Sequence, residues 1–581
     1  MYYFDELLFF TRQLFLWYNS YYVKKGSDIL KQNIKNFLKK FSISRFLFSS
    51  IFSIALFYMT KIHFGGFVGD NNYFEKIFLT DFAVLLLYIP LIYLLLSFLE
   101  KHTLLLSNFI ISNNQTVNKK KFCIVTFIFL FILYLVYYLS FYPGGVYIDT
   151  WTSLRMIQGK DEFTDQQPVL YSLSLKLVDM FSPNVDIGFA IHTGIQVLAM
   201  VSIFTYFIYW MLNKNVNSKL VTLITLLLGL FKLYPLYSVS VWKETPFSLA
   251  IFMLTLTCID IIIEFKDGKV RIANILKTAI CSILILFLRS NGLFICAGMF
   301  AITAIVLLIS KIKKAKIKNL LALTITLFIS LIIFVVAKSL FPLFGITSSS
   351  TTALIESLAI PMQQVARVIS VNGNITPEQE ELIDKVLPRY IINERYTPLL
   401  VDPIKWDKDI NADYLKDNLD VYGKLWFELL LQNPKEYVYA YLLQTSGFWT
   451  LNVRGTEAYH SAIKWETLQE TEQIDLLGKN YNVTLRPNLL SVPLYSGGLF
   501  FWITAFSMFI TYRISNKKYL IAYIPSLILW ATVMISTPMG SALRYVFILV
   551  LMLPINLIYP AFTAKYEEYK NQKLLESKNN D

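Results

Sequence analysis

The chain has 581 residues, of which 55% are hydrophobic, 16% aromatic and only 16% charged, with a mean hydropathy of +0.51. That balance excludes a string of soluble domains, because too few charged residues remain to cover a water-facing surface, and long apolar runs mark a membrane protein. The formal net charge of +13 does not indicate nucleic acid, since the basic residues fall in short stretches between apolar runs and offer no base-reading face.

Residues 1–44 begin with an aromatic stretch, MYYFDELLFFTRQLFLWYNSYYVK, that charges interrupt too often for a span. An amphipathic helix lying on the membrane surface is expected there, with an ordinary soluble helix as the alternative. Asp5 and Glu6, with no small-residue cleavage site after them, argue against a cleavable signal peptide. Beyond this segment, a span needs about 20 apolar residues to cross about 30 Å of hydrocarbon. Twelve candidates meet that length: 45–64, 78–99, 122–142, 187–212, 219–237, 245–264, 273–288, 292–310, 319–341, 493–512, 519–537 and 541–562. The first two lie in a region 45–121 that precedes a core of seven spans, 122–341. The last three form region 493–562, and a charged tail, 563–581, closes the chain.

The distribution of Lys and Arg sets the expected orientation. With the N-terminus cytoplasmic, the inner segments hold Lys24, Lys25, Lys31, Lys35, Lys39 and Lys40, then Lys119 to Lys121, Lys266, Lys269 and Arg271, the lysines between 311 and 318, and Arg513, Lys517 and Lys518. The short outer loops carry isolated basic residues. The sequence thus predicts an all-α polytopic protein of about twelve transmembrane helices in the plasma membrane, both termini inside. Its basic charge follows from topology.

Two outer segments are longer. One is the first outer loop of the core, 143–186. The other, 342–492, lies between the ninth and tenth spans and is long enough for a small extracytoplasmic domain. It contains 19 acidic and 13 basic residues, a net of −6, opposite in sign to the inner loops. A mainly helical fold is expected: Thr376-Pro377-Glu378-Gln379 has the pattern of a helix start, and amphipathic stretches 413–432 and 434–449 meet at Asn433-Pro434.

Metal and nucleotide motifs such as HExxH, CxxC, a Gly-rich phosphate loop or GxSxG are missing from the sequence, so no cofactor is expected, with a divalent cation left open but not indicated. The four cysteines, Cys123, Cys258, Cys281 and Cys296, sit inside apolar runs and resemble small buried hydrophobes. Among four histidines, His192 is expected to be a helix-bonded core residue. What remains is a set of polar residues at the outer ends of spans. Asp149 follows the third span in FYPGGVYIDTW. Asp165, Gln166 and Gln167 precede Pro168, and Lys243 and Glu244 precede the sixth span. Arg289 ends the seventh, and Arg544 and Tyr545 open the twelfth. Singly, each cation could merely anchor its helix at the interface. Together, an acid and three cations on one side suit an anionic, membrane-delivered substrate with a phosphate at headgroup depth.

The segments YPGGVYIDTW, DQQPVLYSL, VSVWKETPFSLA, FLRSNGLF and TPMGSALRYV, in this order, resemble the GT-C superfamily of membrane glycosyltransferases. More narrowly they resemble bacterial members with a large outer insertion, and the segments IPMQQVARVI and LLLQNPKEYVYAYLLQTSGFW of this chain's insertion look like that group too. The likeness runs from about residue 122 to 562 and leaves the first two spans outside it. It implies a polyprenyl-phosphate-sugar donor, an extracytoplasmic glycan or lipid acceptor, and an outward-facing site with an acid of the first outer loop as general base. The matching residue is Asp149. Arg289, Arg544 and Lys243 would bind the departing phosphate. The chain departs from the family twice: its acid follows the third span instead of the first, and Gln166-Gln167 stand where many members have an acid or His, a role Asp165 could take. The rival readings are a glycan polymerase or ligase with a diphosphate-linked donor, and a lipid or glycan transporter, for which ionisable residues near the bilayer midplane and repeated halves would be expected.

Overall fold

The computed structural model describes residues 41–64, 79–112, 117–263, 271–312, 318–348, 350–451, 496–536 and 543–579. The expected surface helix over 1–24, the basic cluster Lys24–Lys40 and the loop 537–542 lie outside the described residues, as do residues 452–492 of the long insertion. Secondary structure among the described residues is helical, apart from isolated bridges. Among the described residues, ten helices are long and apolar enough to cross a membrane. The fifth and seventh expected spans fall on two shorter apolar helices, Ser218–Leu230 and Ile272–Leu288.

The fifth is shorter because of Pro235. Proline lacks an amide hydrogen and its ring clashes with the carbonyl four residues earlier, here Phe231. Phe231 leaves the helical conformation (φ −76°, ψ 99°), and a separate six-residue helix, Leu233–Ser238, follows. Thirteen residues rise about 20 Å, less than the hydrocarbon thickness. The second expected span, placed at 78–99, continues to Ile110. Glu100 lies inside this helix, and its carboxylate meets Arg513 at 3.3 Å.

The chain divides into two compact units. The described part of the smaller comprises residues 41–54 and 79–96. Within it the Ser42 amide donates to the Tyr93 hydroxyl (3.0 Å) and the Arg45 guanidinium lies over the Tyr93 ring. All other described residues belong to the larger unit. At its centre stand two helices that are buried along most of their length, Glu244–Ile263 and the segment Leu543–Tyr566. A helix apolar on all sides and enclosed by others is a bundle core, and the Tyr237 and Phe547 rings stack at 4.0 Å where the two begin.

The long insertion starts after the helix Lys318–Leu340 and has its own apolar core around Val365, Ile369, Ile383, Leu415, Leu425 and Tyr437. Thr376 caps the helix Pro377–Val386 with the reciprocal Thr376–Gln379 bonds of a capping box. The helices Leu419–Gln432 and Pro434–Gln444 meet at Asn433. Buried Arg367 pairs with Glu436 at 2.9 Å, and buried Lys405 with Glu356 at 2.6 Å. The insertion is tied to the bundle through Phe448 and Trp449, whose carbonyls accept from Trp530 (2.8 Å) and Trp502 (2.7 Å).

Candidate functional site

The site forms at one end of the bundle, and backbone contacts fix its parts before any charge is considered. Gly145 forms a parallel bridge with Ser240: its amide donates to the Val239 carbonyl (2.9 Å), and the Val241 amide donates to its carbonyl (2.7 Å). Gly144 makes this approach feasible. Its φ is +127°, and a Cβ there would strike the Thr193 hydroxyl and the Val239 carbonyl. Buried Thr150 donates to the Val241 carbonyl at 2.7 Å, and the Tyr171 hydroxyl reaches the same carbonyl at 3.0 Å. Gln196 adds bonds to the carbonyls of Ser238 (2.9 Å) and Ser240 (2.7 Å). The loop carrying Lys243 is thereby bound to the helix Ile148–Ile157, whose first turn carries Asp149.

The side chains then converge. Lys243 Nζ meets Asp149 Oδ2 at 3.0 Å and donates to Gln167 Oε1 at 2.6 Å. Arg289 stands where the helix Ile272–Leu288 ends, at a turn so tight that a Cβ on Gly292 would collide with the Ile285 carbonyl. Arg289 Nη1 lies 3.7 Å from Glu244 Oε1 and donates to the Tyr545 carbonyl at 3.5 Å. The Arg289 and Arg544 guanidinium groups both pack on the Tyr545 ring, at 4.7 and 5.1 Å. Arg544 also lies over the Trp242 ring at 5.6 Å and donates to the Tyr545 hydroxyl at 3.4 Å. Lys243 first, then Arg544 and Arg289, hold the half-buried Asp149 carboxyl well below the usual carboxylate range, against the opposing effect of partial desolvation.

Of the nine polar residues singled out, seven thus come together, Asp149, Gln167, Lys243, Glu244, Arg289, Arg544 and Tyr545, while Gln166 is exposed. Asp165 is engaged differently. Its carboxylate meets Lys338 at 3.0 Å, and its amide donates to the Thr347 carbonyl (3.0 Å), part of a short parallel bridge between the first loop of the core and the start of the insertion. Arg289 and Arg544 lie together on the Tyr545 ring. Glu244 supplies a counter-charge and the Tyr545 ring accepts both cations on its π-face, so their proximity needs no further group. Two acids against three bases leave the cluster one positive charge. It stands at the N-terminus of the buried central helix Glu244–Ile263, where the helix dipole adds positive potential.

Trp242 was not among the candidates. It is buried, stacks on Tyr147 at 4.2 Å and carries Arg544 on its face, and its indole N–H has no acceptor among the described residues. The available signal was its place beside Lys243. His192 lies in the helix Val185–Asn213, with Nε2 3.3 Å from the Ser174 hydroxyl. The four cysteines are free thiols, and among the described residues no three His, Cys, Asp or Glu side chains gather as a metal site.

Chemically, a pinned carboxylate beside three cations and aromatic faces can bind an anion and accept a proton next to it. If Lys243 is what lowers Asp149, then Lys243→Met should raise its pKa toward the ordinary ~3.9 of aspartate. Any activity that needs the Asp149 carboxylate should then fail at a higher pH in the variant than in the wild type, where the depressed pKa keeps it ionised to lower pH. Rate profiles from pH 3 to 8 check this, and coincident acid limbs would refute it.

No curated protein and no solved structure matches the chain. A family model described as a family of unknown function (DUF6020) matches residues 158–574, a segment that includes every candidate residue except Asp149. That match covers well over half of the sequence, and the chain belongs to this family of unknown function.

Proposed function

We propose that the protein is a GT-C-type membrane glycosyltransferase that moves one sugar from a polyprenyl-phosphate donor to an extracytoplasmic cell-envelope acceptor. The observation that carries this reading is the convergence of Asp149, Lys243, Arg289 and Arg544, from four separate loops, at one end of an apolar bundle. In the proposed topology the chain crosses the plasma membrane twelve times, with both termini cytoplasmic and the insertion 342–492 outside, covering the site and selecting the acceptor. The two short helices serve as the fifth and seventh crossings.

Donor binding brings a phosphate to Arg289, Arg544 and Lys243, which offer charge-assisted bonds. Lys243, drawn toward the phosphate, loosens its hold on Asp149, and the carboxylate regains basicity. Asp149 then takes the acceptor hydroxyl's proton as the acceptor oxygen attacks the anomeric carbon. The bond from that carbon to the phosphate oxygen breaks, and its electron pair stays on the departing polyprenyl phosphate. Negative charge develops at that oxygen, where preorganised cations are most effective. Direct displacement inverts the anomeric centre. Mass spectrometry of envelope glycans and polyprenyl-phosphate sugars, with and without the gene, tests the proposal. One sugar substituent should vanish while its polyprenyl-phosphate form accumulates. Unchanged glycans and carrier pools would count against it.

A further inference from the structure

Glu244 is the least expected member of the cluster. It is 1% exposed, and among the described residues neither carboxylate oxygen accepts a hydrogen bond. Its nearest cation, Arg289, stands 3.7 Å away, beyond hydrogen-bond length, so the usual bidentate fork between Arg and carboxylate is not made. Glu244 also acts electrostatically on Arg544. Buried carboxylates are ordinarily paired and hydrogen-bonded, and one that is not calls for a functional explanation. Its place at the first residue of the 20-residue helix Glu244–Ile263 supplies favourable dipole potential without consuming any guanidinium donor.

We propose that Glu244 is a built-in counter-anion that neutralises Arg289 and Arg544 while leaving their hydrogen-bond donors available, and that an incoming phosphoryl group competes with it for these cations. This rests on the phosphate-binding reading of the site and adds a mechanism for limiting affinity. With Glu244 ionised, the cluster carries one net positive charge. The anion binds weakly enough to leave after the reaction, because Glu244 takes back the electrostatic role of the departed phosphate. A carboxylate that merely orients the arginines would have the opposite effect when neutralised, since the arginines would lose their position.

The test uses the full chain in nanodiscs with two probes, farnesyl phosphate and inorganic phosphate. Glu244→Gln keeps the side chain's size and raises the cluster's net charge by one. It should bind both probes about tenfold more tightly than wild type, with the same factor for each because the competition is with charge. In a transfer assay kcat and KM should fall together, as product is held longer. Unchanged or weaker binding by the folded Gln variant, with wild-type binding intact, overturns the counter-anion role and leaves the phosphate site standing. If the wild type binds neither probe, the phosphate reading itself fails and this proposal with it. Should the Gln variant not fold, Glu244→Asp carries the test: drawing the carboxylate back by one methylene should tighten binding about twofold to fivefold, and no gain in the folded Asp variant overturns the proposal.

Discussion

Asp149→Asn should lower sugar transfer by about 10²–10⁴ while donor binding and folding persist. Asparagine keeps the size of the side chain and much of its hydrogen bonding but cannot accept the acceptor's proton. The helix that carries it is fixed independently by Thr150 and Tyr171 on the Val241 carbonyl, and the Asp149 side chain is 38% exposed, so its charge is not a packing element. Lys243 keeps Gln167 as a partner. Freed from Asp149, Lys243 becomes more available to phosphate, so donor affinity should hold steady or increase. Transfer rates together with thermal stability of the purified variant check this. Near-normal turnover in a folded Asp149→Asn protein removes the base from Asp149.

Arg289→Ala and Arg544→Ala should each weaken binding of a non-cleavable donor analogue about tenfold to a hundredfold. A charge-assisted hydrogen bond contributes roughly 1.5–3 kcal/mol, and each 1.4 kcal/mol is about tenfold in affinity. The double variant should lose less than the product of the single effects, because both guanidinium groups rest on one Tyr545 ring and face the same Glu244, and removing either shifts the support of the other. Arg→Lys should restore only part, since a point charge replaces a planar fork. Silent Arg→Lys variants with independent Ala effects would mean that each arginine only anchors its helix. Titration of these variants with the analogue separates the two outcomes.

Much of this site was legible because a bilayer restricts where charge can stand. Polar residues in a chain of apolar runs collect at the ends of spans. In the expected twelve-span topology Asp149, Lys243, Arg289 and Arg544 all fall at one end, even though Lys243 and Asp149 are 94 positions apart. The insertion's helices were legible from local chemistry, as at the Thr376 capping box. Long-range pairing left no local trace. Nothing beside Asp165 announces that Lys338 will hold it, and nothing beside Glu100 announces its pairing with Arg513. Pro235 was visible, but the apolar residues around it, Leu233, Tyr234, Leu236 and Tyr237, hid the break it causes at Phe231. The unusual state of Glu244 and Trp242, buried with polar atoms that find no hydrogen-bond partner among the described residues, emerges only when four loops are folded onto one another.

The most direct test of the account is bond cleavage by the purified protein. Reconstituted in proteoliposomes with a panel of polyprenyl-phosphate sugars, extracted envelope glycan and lipid acceptors, the wild type should release polyprenyl phosphate and label an acceptor from at least one donor. Asp149→Asn should do neither while still binding that donor. Movement of intact polyprenyl-phosphate sugar across the bilayer, with no cleavage of the bond between sugar and phosphate, would contradict the account and make the protein a carrier.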